Sequence, residues 1–141
     1  MHKRRQLLEA IKAQLKELPN FGGVKIQRIA PIRARYPLII IYDADESVQI
    51  ASIHQHPRDQ DRELNFNVTV WIKGTADDEK AEMDMDNAAE QIETKLTNPA
   101  GVQDMYLTGT DKAIDEEEAE IHAVTLSYTI KYETQENSPT V

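Results

Sequence analysis

The sequence predicts a single α+β domain, in which a mixed but mostly antiparallel β-sheet is covered on one face by two α-helices. Three segments carry this prediction: a helix-periodic stretch at the N-terminus, an alternating strand over 64–73 and a second helix-periodic stretch over 74–96. A chain of 141 residues, 40% hydrophobic and 29% charged, fits one such domain. We assign residues 1–134 to it and expect the polar residues 135–141 to form a disordered tail.

The first half of the chain predicts a helix followed by strands. Pro19 and the glycines after it end a helix predicted over 4–18, and a short strand follows over 24–29. The strand over 36–46 is apolar on both faces, which predicts a place inside the sheet, and a weaker strand follows over 47–53. The helix prediction rests on apolar residues at helical spacing, namely Leu7, Leu8, Ile11, Leu15 and Leu18.

The second half predicts one helix between strands. Residues 64–73 alternate apolar and polar side chains, as in a strand with one buried face. Thr75 is the predicted N-cap of the helix over 74–96, and strands over 105–115 and 121–133 follow a stop at 98–101. His122 lies on the core-side row of the last strand, where a satisfied structural histidine is expected. The apolar stripe of the helix is Ala81, Met85, Ala88, Ile92 and Leu96.

The charges are divided unevenly along the chain. Residues 1–35 carry nine basic and two acidic residues, a balance of +7, and the remainder carries −16, which together give −9. An acidic protein is a poor partner for nucleic acid, so we expect no sequence-specific nucleic-acid binding. No segment approaches the roughly 20 apolar residues of a membrane helix or resembles a secretion signal, and there is no cysteine. These features predict a cytoplasmic protein without a membrane partner.

The segment IHQHPRDQDREL, residues 53–64, has the residue types of a metal site. His54 and His56 could bind zinc, but a third ligand is missing. The acids Asp59, Asp61 and Glu63 lack the glycine and full spacing of a calcium loop, and neighbouring arginines would neutralise them. We therefore predict no metal and no cofactor here, and interpret the segment as a polar hairpin loop of roughly ten residues.

Catalytic motifs are also missing from the sequence. There is no nucleophile elbow, no phosphate-binding loop and no dinucleotide fingerprint. We predict that the protein is not an enzyme and that it has no catalytic residues. An alternative function is that of a small ligand-binding or regulatory α+β domain of a bacterial cytoplasmic protein, which would form a stable small oligomer with one apolar pocket.

The order of segments resembles a known family, the tail terminator proteins of long-tailed bacteriophages and prophages, also described as minor tail protein U-like. The resemblance is carried by the N-terminal helix RRQLLEAIKAQL, the strand YPLIIIYDADE, the polar loop after it and the alternating strand RELNFNVTVWI. An acidic helix and the closing strand EIHAVTLSYTIKYET complete it, and its most distinctive piece is LSYTIKYE.

This resemblance implies a non-enzymatic assembly protein of the virion tail or of a tail-like particle, made in the host cytoplasm. Family members form a ring, usually hexameric, from a chain that can be monomeric before assembly. The ring caps the tail tube, stops polymerisation of the tube protein and presents a surface to the head connector protein. The family's loop between the two middle strands orders on assembly; the matching residues here are His54, His56, Arg58, Asp59, Asp61, Arg62 and Glu63.

The uneven charge also suggests how subunits of such a ring could meet. A head-to-tail contact that closes by rotation gives a ring, and opposite charges favour such a contact. Basic residues near the N-terminus would then face acids on the second helix of the next subunit. The candidate interface residues are Arg28, Arg33, Arg35, Asp84, Asp86 and Glu90.

Overall fold

Two helices and a five-stranded sheet make up the part of the chain that the computed structural model describes, residues 2–28, 36–51, 58–73, 78–97, 104–114 and 121–135. The sheet has the order β1-β2-β3-β5-β4; β1 pairs in parallel with β2, and the other pairs are antiparallel. The predicted α+β class is confirmed. The elements are α1 (Lys3–Leu15), β1 (Gly23–Ile26), β2 (Leu38–Ile50), β3 (Asp59–Lys73), α2 (Asp78–Lys95), β4 (Met105–Ile114) and β5 (Ile121–Gln135).

Both helices pack on the same face of the sheet, as predicted, and bury one continuous apolar core there. The α2 stripe that the sequence indicated is buried, with Ile92 fully inaccessible. It packs with the apolar side of α1 against alternate residues of β3 and β5, because side chains two apart in a strand share one face. Phe66 and Tyr128 stack across these strands with ring centroids 5.5 Å apart. Burial of this face supplies the main driving force for folding.

The strands predicted over 36–46 and 47–53 are a single strand, and that boundary was wrong. β2 pairs with β3 from Leu38 to Ile50, with a register shift between Asp43 and Asp45. A bulge of this kind inserts one unpaired residue and turns the following side chains to the other face without ending the strand. The change of apolar pattern in the sequence therefore marks a bulge, which explains why the two halves looked like separate strands.

Other boundaries shift by a few residues. α1 ends at Leu15 rather than at residue 18, and β1 ends at Ile26 rather than at residue 29. Asn20 has a positive φ of 70° in the turn after α1, a conformation that asparagine tolerates. β5 continues to Gln135. The predicted N-cap Thr75, the acidic residues 116–120 between the last two predicted strands and residues 136–141 of the predicted tail lie outside the described residues.

The outer face of the sheet, opposite the helices, carries a ladder of short polar side chains. The Thr69 and Thr125 hydroxyl oxygens lie 3.0 Å apart, and the Ser127 hydroxyl donates to Asn67 Oδ1 at 2.8 Å. In the next cross-strand pair, the Thr129 hydroxyl donates to Asn65 Oδ1 at 2.6 Å. Cross-strand pairs of this kind stabilise a sheet whose polar groups would otherwise compete for water. β3 and β5 are therefore held together on both faces.

Candidate functional site

The predicted assembly loop is for the most part a strand. β3 begins at Asp59, so Asp59, Asp61, Arg62 and Glu63 are paired with β2 and β5 rather than placed in a loop. Arg58 directly precedes the strand, and His54 and His56 lie outside the described residues. Residues 43–50 of β2, 59–64 of β3 and 130–135 of β5 form a three-stranded extension of the sheet, which we call the arm.

A carboxylate on the helix-facing side of the arm explains why this polar sequence forms strands. The side chain of Glu46 is only 8% exposed and accepts hydrogen bonds from two arginines: Arg62 Nη1 at 2.7 Å and Arg4 Nη1 at 3.2 Å. The hydroxyl of Tyr132 donates to its second oxygen. Charge-assisted hydrogen bonds of this kind are among the strongest in proteins, and each uses a separate donor here. Glu46 thereby joins β2, β3, β5 and α1.

Arg62 is the most deeply buried cation of this network, with 13% of its side chain exposed. Its Nε donates to Thr134 Oγ1 at 2.8 Å and its Nη2 to Gln60 Oε1 at 3.2 Å. Each of the three guanidinium nitrogens thus donates a hydrogen bond to a residue of the arm. A buried arginine is tolerated only with such partners, because an unpaired buried charge costs several kcal/mol. The two neighbouring residues of β3, Asp61 and Glu63, belong to its opposite, outer face.

The first residues of α1 belong to the same hydrogen-bond network. His2 is the N-cap of α1, and its Nδ1 accepts a hydrogen bond from the Arg4 backbone N–H at 3.0 Å. Burial, followed by the charges of Arg4 and Arg62, lowers the pKa of His2 below its ordinary value. A lowered pKa keeps the ring neutral, and only the neutral ring has the lone pair that this cap requires. The cap is therefore compatible with the two arginines beside it.

Tyr132 takes part in the network as a hydrogen-bond donor. Burial, followed by the hydrogen bond to Glu46, raises the pKa of Tyr132, so its hydroxyl stays protonated and remains a donor. Glu46 accepts from three donors at once, so the network uses three of the roughly four lone-pair positions of its carboxylate. The arrangement clamps the N-terminus of α1 to the arm.

Arg28, a candidate interface residue, already has partners within its own chain. Its Nη2 lies 3.3 Å from Asp43 Oδ1, and its guanidinium carbon lies 5.9 Å from the centre of the Tyr42 ring. The side chain remains largely exposed, so a neighbouring subunit could compete for it. Arg33 and Arg35 lie outside the described residues. Their place in an interface stays a prediction.

The acidic candidates on α2 differ from one another in their surroundings. Lys112 of β4 lies 2.7 Å from Asp86 and 2.8 Å from Glu82, and the hydrogen bond to Asp86 is the main reason that the pKa of Lys112 is raised. Asp84 and Glu90 form no ion pair with another described residue, and Glu90 lines a groove between α1 and α2. These two acids are the ones left for a contact between subunits.

Most of the residues that line two grooves on the described part of the chain are polar. A groove of about 840 Å³ beside the arm has Leu7, Ile130 and the ring of Tyr132 as its apolar lining, and the groove between the helices has Leu18. Neither resembles the apolar pocket that the ligand-binding alternative predicts. Within the described ranges, no three histidine or carboxylate side chains lie together as metal ligands. No helix in this part of the chain has the length and apolarity needed to cross a bilayer.

Sequence reasoning did not find the centre of this site. Glu46, Arg4 and Tyr132 lie far apart in the chain, and each was assigned to an ordinary element. A usable signal was present at Tyr132, which shares the predicted core-side row of the last strand with His122 because side chains two apart in a strand lie on one face. His122 is buried as predicted. Neither of its ring nitrogens has a hydrogen-bond partner in the described part of the chain, so the prediction that its hydrogen bonds are satisfied was wrong there.

Comparison with known proteins shows a similarity to solved structures but not to characterised sequences. No protein-family model matches the chain, and no curated protein matches it. A similar fold occurs in a chain of the virion of a native gene transfer agent particle, with a TM-score of 0.56 and 14% sequence identity. The match covers 91% of this chain and 95% of that chain. The two chains thus share a fold over almost their entire lengths.

Proposed function

We propose that the protein is a structural component of a phage-like particle. The observation that carries this proposal is the fold shared with a gene transfer agent virion chain, because the match spans nearly all of both chains rather than one common motif. A fold alone does not specify a function. Here it agrees with an independent signal, the resemblance of the segment order to a family of particle assembly proteins.

Within such a particle, we propose the role of a tail terminator. A ring of this protein, most simply a hexamer, would cap the tail tube, end polymerisation of the tube protein and present a surface to the head connector. The role needs no catalysis and no cofactor. It needs a rigid body with surfaces that bind other subunits, and the clamped arm and the uneven charge of the chain supply both.

The arm is the proposed contact with the tube or with neighbouring subunits. Its strands project polar and acidic side chains on the outer face, while Glu46 and Arg62 hold the opposite face to α1. Rigid segments lose little conformational entropy on binding, which favours a specific contact. In the sequence, residues 52–57, which include His54 and His56, come between β2 and β3.

The proposal is tested in a producing strain by deleting the gene and measuring tail lengths by electron microscopy. A terminator is required to stop growth of the tube, so we expect overlong tube structures and few joined heads, with rescue by the wild-type gene. Tails of normal length joined to heads in the deletion strain would contradict the terminator role. A complete lack of effect on particles would contradict the structural role as well.

A pair of charge-reversal variants tests the arm within the same assay. Asp61→Lys changes an exposed carboxylate on the arm and should restore tail length poorly. Glu17→Lys changes the charge equally at the end of α1, where only an exposed pair with Lys95 is lost, and it should restore tail length fully. Equal rescue by the two variants would remove the arm from the tube contact.

A further inference from the structure

The sheet leaves two edges without a neighbouring strand in the described part of the chain. On one side, β1 pairs only with residues 38–41 of β2, and no other described strand pairs with the outer edge of the arm portion of β2, residues 43–50. On the other side, β4 ends the strand order, and its far edge has no partner among the described strands. Open edges present unpaired N–H and C=O groups to any strand that approaches.

The β2 edge has the features of a strand acceptor. The Ala51 N–H donates to the Asp59 carbonyl at 2.8 Å, so the amides of Val48 and Ile50, an odd number of positions away, point to the open side. Both side chains are exposed, by 46% and 52% respectively. The first half of this edge carries the bulge and three acids, Asp43, Asp45 and Glu46. The second half, Ser-Val-Gln-Ile at 47–50, contains no charge and no proline, the residues that usually protect an edge.

The β4 edge is a suitable donor for this acceptor. β4 spans 105–114 and is therefore long enough to cover residues 43–50 of β2. Tyr106 and Leu107 of β4 are large, exposed apolar residues. The lysine that would otherwise protect this edge, Lys112, is held over α2 by Glu82 and Asp86.

The charges of the two helices favour a second copy of the chain, in a head-to-tail arrangement, as the partner. α1 packs against β1 and β2, and its sequence carries four basic residues and one acidic residue. α2 packs against β3 and β5, towards the β4 side, and carries seven acidic residues and two basic ones. Because both helices lie on one face, adding β4 of one copy to β2 of another brings an acidic α2 beside a basic α1. Pairing β2 with β2 would instead bring two basic helices together.

We propose that β4 of one subunit adds to the β2 edge of the next, at residues 43–50, and joins the sheets of successive subunits. This contact rests on the self-association proposed above and names the surfaces that build it. It is heterologous, since one subunit uses β4 and its neighbour uses β2, and such contacts close into a ring when the rotation allows. It places the arm inside the subunit interface, so that the Glu46 clamp sets the position of the acceptor edge.

Disulfide cross-linking tests the pairing directly, because the chain has no cysteine of its own. Ser47→Cys is combined in one chain with Gly109→Cys, Asp111→Cys or Ala113→Cys, all positions on the outer face of the sheet. Each single-cysteine variant serves as a control. Cysteines bridge only when their Cα atoms lie within about 7 Å, so the reaction reports on neighbouring strands.

We expect at least one double-cysteine variant to give covalent ladders up to the full ring under oxidising conditions, while the single variants stay uncross-linked. Cross-linked dimers from single variants would overturn the head-to-tail pairing, because they require like edges to meet. A ring of normal mass with no cross-link in any double variant would overturn strand addition but leave the ring itself intact. A monomer in every condition would overturn strand addition, and the tail-length assay would then decide the terminator role separately.

Lysine substitutions give a second readout without disulfides. Val48→Lys and Ile50→Lys add charge to the acceptor edge and should reduce the associated fraction at least tenfold by sedimentation. Val48→Thr is the matched control, since it keeps a β-branched side chain at the same edge position, which is 46% exposed, and adds no charge. Equal association in the lysine variants and the control would overturn the proposal. Unchanged circular dichroism in all three keeps the comparison independent of folding.

Discussion

Removal of the Glu46 carboxylate is the most direct perturbation of the arm. In Glu46→Ala, Arg62 loses its 2.7 Å partner, Arg4 loses its 3.2 Å partner, and the Tyr132 hydroxyl loses its acceptor. Arg62 retains Thr134 and Gln60, but neither of them carries a compensating charge. The substitution therefore leaves a largely buried guanidinium without a counterion.

The size of the effect follows from burial. Breaking a buried ion pair by removing one partner costs about 3–5 kcal/mol. Arg4 is 36% exposed and can regain water, and Arg62 retains slight access to solvent, so we expect a loss of about 2–3 kcal/mol. Glu46→Gln keeps an acceptor oxygen for Arg62 and loses the charge, which should cost about 1–2 kcal/mol.

The assay is urea unfolding of each variant at neutral pH, with the free energy of unfolding as the readout. Glu9→Ala is the control, since Glu9 forms an exposed pair with Arg5 at 3.1 Å and should cost no more than about 0.5 kcal/mol. The double variant of Glu46 and Arg62 should reveal a coupling energy of about 1–3 kcal/mol. Equal losses in Glu46→Ala and Glu9→Ala would refute the reasoning, because they would mean that the network behaves as surface charge.

Three further predictions concern the core, alkaline pH and association. Ile92→Ala should lower the free energy of unfolding by about 2–5 kcal/mol in urea titrations, because Ile92 is fully buried between α2 and the sheet; a loss below about 1 kcal/mol would contradict this. Burial raises the pKa of Tyr128 above its ordinary 10.0, so its contribution to stability is complete below pH 10 and is lost as the pH rises further. In urea titrations at pH 9 to 11, Tyr128→Phe should lose less unfolding free energy with rising pH than the wild type. Equal pH dependence of the unfolding free energy in the two proteins would contradict this prediction. Arg33→Glu with Arg35→Glu should reduce the mass found by light scattering while circular dichroism stays unchanged, and an unchanged mass would remove both residues from the interface.

Local patterns in the sequence were sufficient to predict most of the secondary structure. The α2 stripe, the alternating residues of β3 and the core-side row of β5 are all set by spacing, because each element must turn its apolar side chains to one face. The bulge in β2 could not be predicted in the same way. Its presence depends on pairing with β3, and that partner lies far along the chain.

The structure of the polar segment 53–64 also depends on residues that are distant in the sequence. Charge, polarity and a proline made residues 54–63 resemble a loop, yet half of them lie in β3. The residue that decides this is Glu46, which offsets the burial of Arg62 from the neighbouring strand. The sequence shows how many charged residues a segment has, but it does not show which of them form ion pairs in the folded chain.

The sequence by itself determined the α+β class, the two amphipathic helices, the buried rows of the sheet and the separation of basic and acidic residues along the chain. The tertiary structure alone decided the strand order, the clamp at Glu46 and the two open edges at opposite sides of the sheet. The physical reason is range: periodicity depends on neighbouring residues within one element. Ion pairs, strand pairing and open edges depend on residues that only the folded chain brings together.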